Sequence, residues 1–354
     1  MKRLKYIMLY AGLLAITACS SEEFSPDETD KDAEVCLAAS VSGSEATSRA
    51  GESYIKTAFT NKDQIRLANA TFFGKPDFGN NTIYSFTEKG TEWDKFTPVD
   101  ENSVTWNDFS PTSFVYMFEA IYYPGNNPFS NVPTDQNSEA AFKEADLLLA
   151  HHRMSLDERF NDIYLTFHHA FAMIRVEAIV PIGAGGLPQN AIQSASLKNV
   201  QTEYTIDYTS TIQNDGLRTV TGDGKPTDVK MWLQSKSVNS KDKTQTYIFL
   251  GIIPVPKEQI TGTDFVHFNV KVNNNNMEKT YRFVPDKSIS LRQARVTILR
   301  LKLGTNGDLP LLLDAEIKPW TEASAGMILD EEDSSTDNGQ TGEENQPGDQ
   351  EGGA

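Results

Sequence analysis

The chain has 354 residues, with 49 acidic and 32 basic side chains and a formal net charge of −17. A chain this acidic repels nucleic acid and anionic lipid headgroups, so neither is expected as a partner. Its length suggests about two domains, and domains of this size can be stabilised by core burial alone.

The N-terminus has the pattern of a lipoprotein signal. Residues 1–18 combine a basic start with a short apolar run, which is typical of a secretory signal peptide. The run is shorter than the roughly 20 apolar residues that span a bilayer. Segment 14–19 (LAITAC) resembles a lipobox, which predicts that Cys19 is acylated and becomes the first residue of the mature chain. Cys36 would then be the only free cysteine, so no intramolecular disulfide is expected.

Two acidic segments flank the body of the chain. Residues 19–33 begin with Ser-Ser-Glu-Glu after the cysteine, which resembles an acidic signal for export to the surface of the outer membrane. We expect this segment to be a disordered tether, so that the protein touches the membrane through its lipid only. Residues 330–354 hold nine acids, no Lys or Arg, and no large apolar side chain. Such a tail cannot offset its ordering entropy by burial, which predicts disorder.

Between these segments the pattern is typical of short strands. Apolar runs rich in Val, Ile, Phe, Tyr and Thr alternate with Asn, Gly, Pro and Asp, which predicts β-structure. A hairpin is predicted where four asparagines follow one run, because Asn tolerates the left-handed backbone of tight turns. A short helix is predicted at 139–149. The predicted strands are 35–41, 63–67, 112–123, 163–180, 246–253, 265–272, 278–284, 295–303 and 311–317.

One Gly-rich and Pro-rich segment is the best candidate for an interdomain linker. Residues 181–188 (PIGAGGLP) favour neither helix nor strand. This linker would divide the body into two units, 34–180 and 189–329. The pattern in each unit predicts a β-sandwich, so the fold class is all-β with two tandem domains.

Candidate chemistry is sparse. The two histidine pairs, 151–152 and 168–169, place at most one imidazole of each pair on a strand face, and local hydrogen bonding near a bend at His169 is the favoured interpretation over a metal site. The glycines at 183–186 lack the Lys-Ser/Thr of a phosphate loop. We therefore predict no enzyme activity, no metal and no cofactor. Exposed aromatic side chains would instead allow sugar stacking; the candidates are Trp93, Trp106, Tyr122, Tyr123, Trp232 and Trp320.

Several short segments in order resemble the fimbrillin family of Bacteroidota, the subunits and accessory proteins of fimbria-like surface filaments. Together these motifs extend across most of the mature chain. They are 63–65 (DQI), 118–124 (FEAIYYP), 146–150 (DLLLA), 167–176 (FHHAFAMIRV) and 317–320 (IKPW).

The resemblance implies two β-sandwich domains of transthyretin-like topology and, in filament-forming members, proteolysis after an arginine that removes the first strand. The matching bond here would join Arg49 to Ala50. Removal of the strand would open an apolar groove that a strand of another subunit can fill by β-augmentation. The alternative interpretation is that Arg49 lies in an ordinary loop and the strand stays in place. The candidate displaced residues are Val35, Leu37, Ala39 and Val41.

The leading hypothesis is therefore a structural or adhesive surface lipoprotein, located at the outer membrane or in a fimbrium as an accessory, tip or anchor subunit. Its expected partners are other pilin subunits or copies of itself, with a host or bacterial surface ligand as a further candidate. The rival hypothesis is a glycan-binding surface lipoprotein that forms no filament, which predicts an exposed, coplanar pair of aromatic rings.

Overall fold

The structure is a computed structural model that describes residues 34–42, 55–69, 76, 82–99, 105–109, 111, 115–126, 129–209, 217–272, 277–305 and 309–320. The predicted signal peptide, the tether and the acidic tail lie outside the described residues, as do Cys19, Arg49 and Ala50. Within the described part, eighteen strands, one short α-helix and three single-turn 3-10 helices confirm the all-β fold class. In that same part, no helix is both long and apolar enough to cross a membrane.

The first seven strands are hydrogen-bonded into a closed barrel in the order β1-β4-β3-β2-β5-β6-β7. The helix α1 follows β5 and is capped by the Ser138 side chain, which accepts from the Ala141 amide. It is shorter than predicted, because the apolar residues that follow it enter β6 and pair with β5. The bounds are β1 Leu37–Val41, β2 Gln64–Asn69, β3 Thr82–Glu88, β4 Asp94–Pro98, β5 Val115–Tyr122, α1 Glu139–Lys143, β6 Leu148–Ser155 and β7 Ile163–His169.

The remaining strands build a second unit of two facing sheets and a separate β10-β11 pair. A five-stranded sheet has the order β13-β14-β8-β17-β18 and a four-stranded sheet the order β12-β9-β15-β16. Buried side chains of both sheets form one core, as expected of a sandwich. The bounds are β8 Ala172–Pro181, β9 Ile192–Val200, β10 Glu203–Asp207, β11 Thr219–Asp223, β12 Thr227–Lys230, β13 Trp232–Asn239, β14 Thr244–Ile253, β15 Val266–Lys271, β16 Glu278–Phe283, β17 Arg295–Lys302 and β18 Leu311–Pro319.

The boundary between the two units differs from the predicted one. The predicted strand 163–180 is two strands, and the second of them, β8, pairs with β14 and β17 of the second unit. The chain therefore changes sheets at Ala170–Phe171, which are buried and apolar and carry no compositional signal of a boundary. Segment 181–188 instead begins with the last residue of β8 and continues into the loop that leads to β9, where Gly183 and Gly185 adopt positive φ.

A third apolar cluster joins the two units. It contains Ile121 and Phe142 of the first unit together with Leu250 and Ile252 of the second. Trp320, directly after β18, belongs to the same cluster and is 3% exposed. The two units therefore share a continuous buried contact.

Candidate functional site

The predicted displaced strand, β1, lies in the middle of the barrel wall between β4 and β7. It pairs antiparallel with β4, where Leu37 is opposite Phe96. It pairs parallel with β7, where Leu37 is opposite Ile163 and Val41 is opposite Phe167. Without β1 the ring would be open between β4 and β7.

The inward side chains of β1 complete the core of the barrel. The four residues singled out from the sequence are at most 3% exposed and belong to the core cluster of the barrel. They are Val35, Leu37, Ala39 and Val41. Each fully buried Val or Leu contributes about 1.5–3 kcal/mol, so the three larger side chains contribute roughly 5–9 kcal/mol. That is comparable to the whole stability of a typical domain, about 5–15 kcal/mol. A barrel that lost β1 would need another strand in its place.

A cluster of aromatic rings lies in the part of the barrel core that β1 covers. The Phe59 ring makes edge-to-face contacts with Phe96 at 5.1 Å, with Phe167 at 5.4 Å and with Tyr122 at 5.7 Å between ring centroids. Phe96 and Phe167 lie on the two strands that flank β1. Removing β1 would therefore expose large apolar rings together with unpaired backbone groups on both sides.

The geometry of the gap leaves the direction of an incoming strand open. Because β1 runs antiparallel to β4 and parallel to β7, these two strands run in opposite directions. A strand inserted in either direction would form one parallel and one antiparallel ladder, which differ little in stability per residue. Selection of a strand for this gap must therefore depend on its side chains.

The predicted cleavage bond lies in the connection that follows β1. Ser42 at the end of β1 donates its backbone N–H to the Phe167 carbonyl at 2.8 Å, and the description of the chain resumes at Ile55, which is 4% exposed. Arg49 and Ala50 fall between these two residues. The predicted bond is thus in the segment that joins a core strand to the rest of the barrel.

A pocket of about 400 Å³ lies beside Ile55, close to this connection. Its walls include Lys56, Tyr122 and Asp146. Lys56 Nζ lies 2.5 Å from Asp63 Oδ2 and 5.0 Å from the centre of the Tyr122 ring. Burial, followed by the charge of Asp63, raises the pKa of Tyr122, so the phenol stays protonated and donates to Asp63 at 3.1 Å. Lys56 and Asp63 therefore neutralise each other in this wall of the pocket.

Two of the histidines are hydrogen-bonded to carboxylates of other strands or loops. His169 Nδ1 lies 2.7 Å from Asp146 Oδ1, and the imidazole stacks on Trp320 with ring centroids 4.5 Å apart. His151 Nδ1 lies 2.6 Å from Glu119 Oε1. Among the described residues, no three His, Cys, Asp or Glu side chains are grouped as metal ligands.

The aromatic residues do not form the predicted flat platform. Trp106 and Trp320 are buried, as is Tyr122. Trp93, one of the sequence candidates, is half-buried and meets Tyr164, which sequence reasoning missed; their rings lie edge to face at 64°. Two faces at that angle cannot both stack on one sugar chain.

These features define a two-unit all-β protein in which the first strand completes the core of the first unit. The sequence model described as fimbrillin-like matches residues 48–320. The chain therefore belongs to the fimbrillin-like family, which confirms the resemblance inferred from the motifs. No curated protein sequence matches the chain.

Three solved structures of low sequence identity are similar to the chain, and the first of them shares its fold. A candidate cell adhesion protein of Bacteroides uniformis is 15% identical, with a TM-score of 0.51, and the match covers 81% of this chain and 99% of that one. A candidate cell adhesion protein of Bacteroides ovatus is 15% identical, with a TM-score of 0.49, covering 82% of this chain and 98% of that one. The tip fimbrial protein Mfa3 of Porphyromonas gingivalis is 10% identical, with a TM-score of 0.40, covering 82% and 100%.

Proposed function

We propose that the protein is a structural or adhesive subunit of a cell-surface filament that assembles by strand exchange after cleavage between Arg49 and Ala50. Its partners would be other pilin subunits or copies of itself, and it would perform no chemistry of its own. Membership of the fimbrillin-like family supports a surface role of this kind.

One observation carries the proposal: β1 is a core strand whose only covalent link to the rest of the barrel passes through the predicted cleavage bond. Its inward side chains are buried, and both of its edges are hydrogen-bonded. Cleavage would allow β1 to leave, and the apolar gap would then accept a strand from another subunit. The match to the family begins at residue 48, after β1 and directly before Arg49.

Lipidation of Cys19 would hold the precursor at the outer membrane. The cysteine precedes β1 by 18 positions, so release of β1 after cleavage would also release the rest of the chain from its anchor. An uncleaved chain would stay attached. Cleavage at Arg49 would thus decide between an incorporated subunit and an anchored one.

The last strand of the second unit offers a second surface for a partner. β18 is at the edge of its sheet, and Leu311, Leu313 and Ile317 on it are 62%, 51% and 39% exposed. An edge strand with exposed apolar side chains favours contact with another chain. Beyond Trp320, residues 327–329 (MIL) are the only run of large apolar side chains before the acidic tail. This shortage of material for a donor strand favours an accessory, tip or anchor subunit over a repeating stalk.

The test is limited digestion of the mature chain, made without residues 1–19 so that it stays unlipidated, with an Arg-specific protease. The products are identified by mass spectrometry and sized under native conditions. We expect cleavage confined to Arg49, loss of the β1 fragment and multimers that retain the two β-units.

The matched control is Arg49→Gln, which keeps the length of the connection and removes the cleavage site. It should remain intact and monomeric under the same conditions. A wild-type chain that resists cleavage at Arg49, or that is cleaved there and remains a monomer with β1 bound, would contradict strand exchange.

A further inference from the structure

Two aromatic rings on the outer surface of the barrel meet above β1. Trp93 directly precedes β4 and Tyr164 lies on β7, and their ring centroids are 5.2 Å apart. The Tyr164 side chain is 42% exposed, so the contact is at the surface and not in the core.

The strand order shows that this contact crosses over β1. Neighbouring strands are about 4.8 Å apart, so β4 and β7, with β1 between them, are about 10 Å apart. Tyr164 is opposite Ala38, while Asp94, the residue after Trp93, is opposite Ala39. Rings that start on either side of β1 and approach within 5.2 Å must reach over its outer face near positions 38 and 40.

The outer face of β1 is composed of small side chains. Successive residues of a strand point to opposite sides, and because Leu37 and Ala39 are in the core, the outward residues are Cys36, Ala38 and Ser40. Ala38 is only 6% exposed although it faces outward. In register, Ala38 lies between Lys95 of β4 and Tyr164 of β7. Because the Tyr164 ring meets Trp93 across β1, we attribute the burial of Ala38 to this pair of rings.

We propose that the Trp93–Tyr164 pair is a clasp that admits, between β4 and β7, only a strand with small side chains at the two outward positions beneath the rings. For β1 the clasp is a retention device in the precursor. For an incoming strand the clasp is a selectivity filter, and this second role rests on the proposed function. The partner that fits is a β-strand with Val-sized or Leu-sized inward residues and Ala-sized or Ser-sized outward residues.

The clasp would supply a selectivity that backbone hydrogen bonding in the gap between β4 and β7 does not provide. Hydrogen bonding alone would accept almost any strand in either direction, and the apolar groove would accept many apolar inward sequences. The clasp adds a steric requirement on the other face. It would therefore exclude strands that carry large residues on both faces, including many aggregation-prone apolar segments.

The first experiment uses the uncleaved mature chain. Ala38→Leu should lower the melting temperature because the added atoms have no room beneath the rings. The double variant Trp93→Ala/Tyr164→Ala should make the chain tolerant of Ala38→Leu, so that the triple variant melts no lower than the double variant. Thr97→Leu introduces the same side chain at an exposed position of β4 and removes only an exposed hydroxyl contact with Thr87; it is the control and should have little effect. The clasp would be overturned if Ala38→Leu lowered the melting temperature no more than Thr97→Leu does. It would also be overturned if Ala38→Leu lowered the melting temperature equally in the Trp93→Ala/Tyr164→Ala background.

The second experiment separates the clasp from strand exchange. The full chain cleaved at Arg49 and freed of its β1 fragment is titrated with fluorescent peptides of residues 34–42, with Cys36 replaced by Ser. We expect the Ala38→Leu peptide to bind at least about tenfold more weakly than the Ala38 peptide, and the difference to vanish in Trp93→Ala/Tyr164→Ala. Equal binding of both peptides to the wild-type barrel would overturn the filter. Failure of both peptides to bind, with the melting cycle intact, would overturn the proposed strand exchange and leave the clasp as a retention device.

Discussion

The Arg218 guanidinium is paired with the Glu119 carboxylate inside the contact between the two units. Glu119 belongs to β5 of the barrel, whereas Arg218 directly precedes β11 of the second unit, and they are 2% and 4% exposed. Arg218 Nε donates to Glu119 Oε1 at 2.9 Å, and a second bond comes from Arg218 Nη2. His151, opposite Glu119 in the β5–β6 ladder, shares the same carboxylate oxygen at 2.6 Å.

Breaking this pair should destabilise the protein strongly. Arg218→Met leaves the Glu119 carboxylate buried without its cation, which costs about 3–5 kcal/mol of unfolding free energy. Urea denaturation followed by tryptophan fluorescence measures the loss. Adding Glu119→Leu to the same chain should recover part of it, because the unpaired charge is then removed.

The matched control for that experiment is an exposed ion pair. Lys143 and Glu139 are one helical turn apart on α1 and about half exposed, so Lys143→Met should change the unfolding free energy by less than about 0.5 kcal/mol. Equal effects of Lys143→Met and Arg218→Met would refute the importance of burial for the Glu119–Arg218 pair.

The sequence predicted the parts of the fold that depend on local patterns. Val35, Leu37, Ala39 and Val41 alternate with small or polar residues, so the inward face of β1 was apparent from period-two spacing. Strands such as β5 and β14 were predicted from their continuous apolar runs. Strand β13, with the sequence WLQSKSVN, was missed because its side chains are mostly half-buried or exposed and show no period.

The features that were missed depend on contacts between distant parts of the chain. Glu119 and Arg218 are 99 residues apart, and neither stands out from the other charged residues in the sequence. The Trp93–Tyr164 contact becomes meaningful only when β1 is known to lie between β4 and β7. A bend near His169 was predicted, but the change of sheet at Ala170–Phe171 was missed, because a buried apolar crossing has the same composition as a strand interior. The Gly-rich segment 181–188, in contrast, resembles a linker.

Trp320 should be important for the contact between the two units. Its ring stacks on His169, the last residue of β7, at an interplanar angle of 6°, and its side chain is buried in the shared cluster. Trp320→Ala should cost about 3–5 kcal/mol of unfolding free energy. Trp320→Phe keeps a flat ring for the stack and should cost clearly less. Urea titration of the two variants checks this, and equal losses would show that ring stacking on His169 contributes little.

Stability should fall in mild acid through His152. Burial, reinforced by the neighbouring His151, lowers the pKa of His152 from its ordinary value of 6.5, while Glu158 opposes this. The unfolded chain therefore binds a proton more readily than the folded one, and the free energy of unfolding decreases as the pH falls below about 6.5 toward the lowered pKa. The urea midpoint of the wild type should be lower at pH 5.5 than at pH 7.5.

The variant His152→Gln isolates the contribution of that imidazole to the pH dependence. The difference in midpoint between pH 7.5 and pH 5.5 should become smaller than in the wild type. His267→Gln is the comparison, because His267 lies in the second unit and is hydrogen-bonded to Asp264 at 3.0 Å. An unchanged pH difference in His152→Gln would rule out His152 as a source of acid sensitivity.

The exposed apolar side chains of β18 should matter for assembly and not for folding. Leu311→Lys together with Leu313→Lys replaces side chains that are 62% and 51% exposed, so the free energy of unfolding should stay within about 0.5 kcal/mol per substitution. After cleavage at Arg49, however, the double variant should form fewer multimers, because a partner chain would have to bury two charges at the β18 edge. Size-exclusion chromatography with light scattering measures the multimer fraction.

Val238→Lys on β13, 46% exposed in the wild type, controls for added surface charge. A similar reduction of the multimer fraction in that variant would show that charge alone, and not the β18 surface, limits assembly.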